Sequence, residues 1–306
     1  MTLDDLRSLI AVSESQSFSA AARRLGCSQP AVSQHIQRLE QHLGLQLFER
    51  QPRGVAATAA GELLVRAAHE SLGALDRAVH QVASLRAGEA GSLAIATGGT
   101  TVHHFLRGAI KAFRRAYPRV KLQLRGAAST AECIRALCFE PVDLAFVTTG
   151  EPIDGVRQHA LLELEYVLLT GRDHPLAGRA KLRLSDLHGL EHIALSEGRT
   201  SRSQLASALA REGVVMETAM TVYDWDTAIE LVELGLGSAI VPSWHARAST
   251  GRAAVVAIPI AGLAPIRVGW AVRATCEPWK PARELMRLLR ADLRARPPQP
   301  GVRLLR

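Results

Sequence analysis

Apolar residues recur at helical spacing through the first ninety positions, and each run is bounded by residues that cap helices. Leu3, Leu6, Leu9, Ile10 and Val12 form one stripe, with Thr2 placed to cap it. Phe18, Ala21, Ala22 and Leu25 form a second, short and alanine-rich, opened by Ser17 and stopped by Gly26. Ser28 opens a third with Pro30 in its first turn, and Val32, Ile36, Leu39 and Leu43 are its predicted buried stripe. Two helices joined by a tight glycine-containing turn make a helix-turn-helix unit. The buried stripe turns Gln29, Ser33, Gln34, Gln37 and Arg38 outward. A merely solvated face more often carries Lys and Glu, whereas amides, hydroxyls and an Arg suit base edges and phosphates. The pattern alone leaves two readings open: DNA recognition, and an all-helical packing unit.

After Gly44, LQLFERQPRGVAAT fits a small β-hairpin, or wing, with Leu47 and Phe48 packing back on the helices. Arg50 and Arg53 flank its turn, where they suit phosphates or a minor groove and equally suit plain solvent exposure. Thr58 caps a long helix whose Leu64, Ala68, Leu72, Leu75, Val79 and Val82 follow at steps of 4, 4, 3, 4 and 3. That stripe is narrow, as in a coiled-coil seam, and it predicts a dimer. The alternative is one amphipathic helix lying on its own domain. Gly88 and Gly91 close the run.

From Gly91 the pattern changes to short strands alternating with helices. SLAIAT, VKLQLRG, DLAFVTT, EYVLLTG, EHIALSE, METAMTV, SAIVP and VGWAV read as strands. TVHHFLRGAIKAFRRAYP, TAECIRALCF, SRSQLASALAREG and WDTAIELVELGLG read as helices. Such alternation implies parallel sheets covered by helices, with ligands at the carboxyl ends of the strands. Those ends are rich in hydroxyls: Thr97, Thr100, Thr101, Ser129, Thr130, Thr148, Thr149 and Ser196. Helix capping explains any one of them, and a ligand site explains their recurrence.

The 306 residues suffice for about two domains, and 47% hydrophobic content is ordinary for a globular chain. The lack of a long apolar run and the acids in MTLDDLRSLIAVSES argue against a membrane span and a secretory leader, so a cytoplasmic protein is expected. The net charge of +8 is a weak sign of nucleic-acid binding, because residues 1–57 carry only +1. The last 41 residues hold ten basic and three acidic side chains, net +7, as on a solvated helix face. If the N-terminal part binds DNA, placement of a few side chains does it. Cys27, Cys133, Cys138 and Cys276 form no C-x-x-C pair and are expected to be buried free thiols. His103 and His104 sit in a helix's first turns with no third ligand type at a metal-binding spacing, so no metal site is expected.

The run FSAAARRLGCSQPAVSQHIQRLEQHLGLQLFERQPRGVAATAAGELL resembles the N-terminal winged helix-turn-helix of LysR-type transcriptional regulators. The features that carry it are A-A-x-x-L, S-Q-P-A-V-S, I-x-x-L-E-x-x-L-G-x-x-L-F-x-R and T-x-A-G; AFRRAYPRVKLQL, VDLAFV and LVELGLGSAIVP extend it downstream. The resemblance implies an α+β multidomain fold: a winged helix-turn-helix over 1–57, a linker and dimerisation helix over 58–90, and an α/β effector domain over 91–296. The last resembles a periplasmic binding protein, with subdomain I at 91–164 and 268–296, subdomain II at 165–267, and crossings near Leu164–Leu168 and Ile266–Val268. Residues 297–306 are expected to be a flexible tail.

The resemblance places Gln29, Pro30, Ser33, Gln34 and Arg38 near DNA in a major groove, with Arg50 and Arg53 on the wing. Leu64, Leu72, Leu75, Val79 and Val82 would join copies into a homodimer or homotetramer. It implies double-stranded DNA, a small-molecule effector, further copies of the chain and RNA polymerase as partners, and no cofactor. By position Thr100, Thr101, Ser129, Thr148, Ser196 and Tyr223 are the candidates for lining the effector cleft, with Thr97, Thr130 and Thr149 second. An anionic effector is favoured, with Arg199 or Arg202 as its ion-pair partner. Oxidant sensing through paired cysteines in the second subdomain is not supported, since residues 165–267 contain none.

Two other classes compete. An α/β enzyme with an appended helical domain lacks support, because G-x-S-x-G, a P-loop, a strand-borne G-x-G-x-x-G and H-E-x-x-H are absent. A structural chromosome-binding protein would not need the clustered hydroxyls.

Overall fold

In the computed structural model, which describes residues 1–51, 54–86, 91–196, 200–246 and 254–305, the chain divides into two compact units. One is Met1–Arg86 with Cys138–Pro141, the other Ala87–Leu137 with Val142–Arg306.

The first unit starts with α1 (Leu3–Ser15), α2 (Phe18–Leu25) and α3 (Gln29–Leu43). A hydroxyl opens each helix by accepting a backbone N–H: Thr2 from Asp5, Ser17 from Ala20, Ser28 from Ala31. Gly26 ends α2 at φ 67°, a left-handed conformation that any side chain would strain. Ala21 and Ala22 are buried and let α2 and α3 approach closely. Leu9, Val12, Val32, Ile36 and Leu39 share a core with Leu47 and Phe48. β1 (Phe48–Gln51) and β2 (Gly54–Ala57) pair antiparallel as the wing. The Glu40 carboxylate, on α3, accepts the Leu47 N–H at 2.8 Å and so fixes the entry to the wing.

α4 (Ala59–Arg86) starts at Thr58, whose hydroxyl accepts the Gly61 N–H at 3.1 Å and donates to the Gln46 carbonyl at 2.8 Å. A Cβ at Gly61 would lie 2.0 Å from the Leu47 carbonyl oxygen. Glycine is needed there for close approach, which accounts for the G of the T-x-A-G motif.

Two expectations change in this unit. Leu43 is exposed, not buried, because the last turn of α3 runs past a core that Leu47 and Phe48 close. The seam of α4 also divides: Ala68 belongs to the unit's own core and Leu64 packs against it, while Leu75, Val79 and Val82 are exposed. Leu64 is thus half-buried against the chain's own core, unlike the exposed end of the seam.

The second unit opens with β3 (Gly91–Thr97), α5 (Gly99–Thr101), a π-helical turn over Val102–Leu106, and α6 (Arg107–Ala116). β4 (Val120–Gly126), α7 (Thr130–Phe139), β5 (Leu144–Thr149) and β6 (Val156–Leu164) follow. The chain then passes through β7 (Tyr166–Gly171), β8 (Glu191–Leu195), α8 (Thr200–Arg211), β9 (Glu217–Val222) and α9 (Trp225–Glu233). β10 (Ala239–Pro242), α10 (Ser243–Ala246) and β11 (Val255–Pro259) complete that half, and β12 (Ile266–Arg273), α11 (Lys280–Ala295) and β13 (Val302–Leu304) return to the first.

The first half holds a six-stranded sheet in the order β13-β6-β12-β5-β3-β4. The second holds β10-β7-β11 and the pair β8-β9, bridged by His192 to Ser238. Parallel sheets were expected; the six-stranded sheet is mixed, β10-β7-β11 is antiparallel, and β8-β9 alone among the described sheets is wholly parallel. β3 runs parallel to β4 and β5, but β12 is antiparallel to β5 and β6, and β7 is antiparallel to β10 and β11. β6 and β12 adjoin the two crossings between halves, so no covering helix sets their direction as it does in a β-α-β unit. Trp270, Phe113 and Phe146 are fully buried in the core of the first half.

The tail expected to be flexible is partly a strand. Gly301, at φ 68°, turns the chain, and β13 pairs antiparallel with β6. The Arg303 Nε donates to buried Glu163 at 2.7 Å, and Arg267 Nε does so from β12 at 2.8 Å. Arg303, then Arg267, hold the Glu163 carboxyl below the usual carboxylate range against the opposing effect of burial. The cysteines also depart from expectation: Cys133 is buried and Cys138 half-buried, but Cys27 and Cys276 are exposed. Among the described residues, no helix is long and apolar enough to cross a membrane.

Candidate functional site

α3 places Gln29, Pro30, Gln34, Gln37 and Arg38 at the surface, with Ser33 half-buried. Gln29 Nε2 donates to Ser33 Oγ at 3.3 Å, so these two side chains are joined on one face. Arg38 turns back toward α1, its Nη2 at 2.5 Å and Nε at 3.1 Å from Asp5 Oδ1. Burial pushes the Asp5 carboxyl up, but hydrogen bonds from Arg38 and Thr2 outweigh it and leave the group below its ordinary value. A buried carboxylate thus fixes a guanidinium that still shows 46% of its side chain to solvent. Arg50 is exposed on β1. Arg53 lies outside the described residues.

In the second unit a cavity of about 300 Å³ opens at the strand ends. Thr100, Thr101, Ser129 and Thr148 all line it, together with Thr130 and Ser201. Phe105, Phe146, Val147, Ile266 and Val268 supply apolar walls. Two of the expected residues are not there. Tyr223 is 77% exposed, and Ser196 donates its backbone N–H to the Val222 carbonyl at 2.7 Å. Their chain neighbours Asp224 and Leu195 line the cavity instead, since consecutive side chains of extended chain face opposite ways. Thr97 and Thr149 are buried outside the cavity, with the Thr97 hydroxyl donating to the Phe146 carbonyl at 3.1 Å.

Ser129 serves two purposes. Its Oγ accepts the Glu132 N–H at 3.1 Å while the Glu132 carboxylate accepts the Ala128 N–H at 2.7 Å, capping α7 reciprocally. The ion-pair partners expected for an anion fare less well. Arg202 donates to the Leu195 carbonyl and is not among the lining residues, and Arg199 lies outside the described residues. Among the described lining residues there is no Lys or Arg; Asp224 is there, its carboxylate capping α9 by accepting the Thr227 N–H at 2.8 Å.

The sequence offers His104 no third ligand type at a metal-binding spacing, but the fold brings Asp226 and His245 to it. Its Nε2 lies 2.6 Å from Asp226 Oδ1, and His245 Nδ1 lies 3.9 Å from the same oxygen. The three ligand-type atoms fall within 4.8 Å of one another. His245 also lines the cavity and is buried, and its Nδ1 has no hydrogen-bond partner among the described residues. Arg296, just past α11, binds this region together: it donates to the carbonyls of His104 and Phe105 at 3.1 Å each and stacks over Trp244, 5.1 Å from the ring centre. No local spacing could have revealed the cluster, because His104 and Asp226 are 122 residues apart.

Residues 3–62 match the family model described as bacterial regulatory helix-turn-helix protein, lysR family, and residues 86–294 match the LysR substrate binding domain. The HTH-type transcriptional regulator BudR of Raoultella terrigena is 32% identical over 247 residues, 79% of this chain and 84% of that protein. The HTH-type transcriptional regulator YbhD of Escherichia coli (strain K12) is 28% identical over 240 residues, 78% of this chain and 75% of that one. The solved structure of full-length CbnR in complex with its target DNA is similar at a TM-score of 0.61 and 23% identity, covering 95% of this chain and 99% of CbnR. At that identity the likeness shows the fold.

Proposed function

The chain belongs to the LysR family of DNA-binding transcriptional regulators, which are not enzymes, and from that membership we propose how its residues divide the work. α3 enters a major groove with Gln29, Pro30, Ser33, Gln34 and Arg38, and Arg50 and Arg53 of the wing contact phosphates. The exposed face of Leu75, Val79 and Val82, with half-buried Leu72, packs against the same face of a second copy in a homodimer, and dimers pair into a homotetramer. The protein works in the cytoplasm, and its DNA-bound form acts on RNA polymerase. The linker spans 58–90, and the effector domain divides into halves at 91–164 with 268–296 and at 165–267.

The effector is a small molecule with a negatively charged end and an apolar body, bound in the 300 Å³ cavity. One observation carries this reading: hydroxyls from three strand ends, Thr100 and Thr101, Ser129, and Thr148, meet in one cavity whose other walls are aromatic and aliphatic. With no lining Lys or Arg among the described residues, those backbone N–H groups at the start of α7 that Ser129 and Glu132 do not already take face the charged end. Effector binding shifts the relation of the two sheets by its difference in affinity for the two arrangements.

The test is a thermal-shift screen of small carboxylates against their neutral amides, followed by DNA-binding anisotropy on the sequence upstream of the gene with the strongest hit. A carboxylate-selective shift that Thr100→Val removes is expected. Amides that stabilise as well as carboxylates would remove the charge assignment, and an unaltered Thr100→Val response would move the site.

A further inference from the structure

We propose that His104, Asp226 and His245 form a binding site for a divalent transition-metal ion of the zinc class, beside the effector cavity and independent of what that cavity binds. The donor set is two imidazole nitrogens and one carboxylate oxygen, which suits zinc, cobalt or nickel rather than calcium or magnesium. A tetrahedral ion about 2.0–2.1 Å from each ligand holds them roughly 3.3 Å apart. Here the separations from Asp226 Oδ1 are 2.6 Å to His104 Nε2 and 3.9 Å to His245 Nδ1. One opens and the other closes by less than about 1 Å, and the two imidazole nitrogens, within 4.8 Å of each other, close by up to about 1.5 Å to reach that geometry.

Among the described residues the cluster is incomplete. Asp226 accepts from His104, but His245 Nδ1 lies beyond hydrogen-bond reach of the same oxygen and, among the described residues, has no other partner, although His245 is only 5% exposed. An orphaned buried ring nitrogen costs stability, and a metal ion satisfies it.

The surroundings hold the ligands in place. His104 sits in the π-helical turn over Val102–Leu106, and such turns leave backbone groups that need other partners. Arg296 meets the His104 and Phe105 carbonyls and stacks on Trp244, the residue before His245. The T-shaped His104 and His245 rings lie 4.3 Å apart, between the segment after β3 and the segment after β10. A bound ion therefore cross-links the two halves of the unit, with His245 also on the cavity wall. Three protein ligands leave one tetrahedral position for water.

Untagged full-length protein, freed of metal with a chelator, is titrated with Co²⁺ and followed by visible absorption. One Co²⁺ per chain is expected, with d–d bands that Zn²⁺ abolishes. Asp226→Asn and His104→Gln should weaken uptake by at least about 100-fold, the upper end of what losing a mere supporting group costs, and should keep the circular dichroism of the metal-free protein. His103→Gln, at the exposed neighbour, should bind as wild type. Absence of stoichiometric Co²⁺ bands, or uptake that Asp226→Asn and His104→Gln leave unchanged, would overturn the site. So would loss in His103→Gln alone, which points to surface histidine binding.

Discussion

Arg38 on the outer face of α3 reaches back across the helix-turn-helix to the buried carboxylate of Asp5, with Nη2 at 2.5 Å from Oδ1. One contact thus joins the inside of the first unit to the face proposed to read DNA. The Asp5 carboxyl is held below its ordinary value in the folded chain. Its stabilising contribution is therefore present above the ordinary carboxylate pKa of about 4 and disappears as pH falls through the lowered folded value. Asp5→Asn should lower the melting temperature of the wild type at pH 7, and the gap between the two should narrow below about pH 4. A gap that stays constant from pH 7 to pH 3 would separate the ion pair from stability.

Gln34 and Arg50 test two kinds of DNA contact. Gln34→Ala should reduce affinity for the specific site by about 5- to 100-fold while leaving nonspecific binding intact, the span of one base contact. Arg50→Ala should weaken binding to all sequences and reduce the salt slope by about 1. Anisotropy titrations at several salt concentrations distinguish the two, and a Gln34→Ala protein with unchanged specificity would move the reading face elsewhere on α3.

Gly61→Ala should destabilise the first unit by about 1–3 kcal/mol, since the new methyl would lie 2.0 Å from a backbone oxygen that cannot rotate away. Urea unfolding followed by circular dichroism measures this. An unaltered midpoint would show that α4 can shift on Leu47 without cost.

Val79 is 60% exposed on the face proposed for self-association. Val79→Glu should convert the oligomer to monomer in sedimentation velocity, while Leu63→Glu, at another exposed leucine of α4 off the seam, should leave its mass unchanged. A monomeric wild type would refute the seam outright.

Truncation after Pro298 removes β13 and the Arg303 partner of Glu163. The shortened chain should melt several degrees lower and be cleaved faster by protease at β6. Equal melting would mean that β13 adds nothing to the sheet.

Much of the first unit was legible in the sequence because its instructions are local. Thr2, Ser17 and Ser28 cap the helices that the apolar spacing outlines, and Gly26 stops α2 where a left-handed residue is needed. Errors came where a side chain's fate depends on something distant. Leu43 continues the stripe of α3 but meets no core, and Leu64 begins the seam of α4 but is claimed by the unit's own interior. In the second unit Thr100, Thr101, Ser129 and Thr148 were found by their place at strand ends. Tyr223 and Ser196 were named where their neighbours Asp224 and Leu195 line the cavity, a slip of one residue that in extended chain reverses the facing of a side chain.

By itself the amino-acid order determined the periodic elements, their caps and the hydroxyl-rich turns, because each is settled by interactions spanning at most a few residues. Only the tertiary structure decided that Ser129, a helix cap by its local sequence, also lines the cavity, that Arg303 returns to Glu163, and that His104 meets Asp226 and His245. Such meetings depend on how segments far apart along the chain are brought together by the fold, and contacts made that way leave no periodic trace in the sequence.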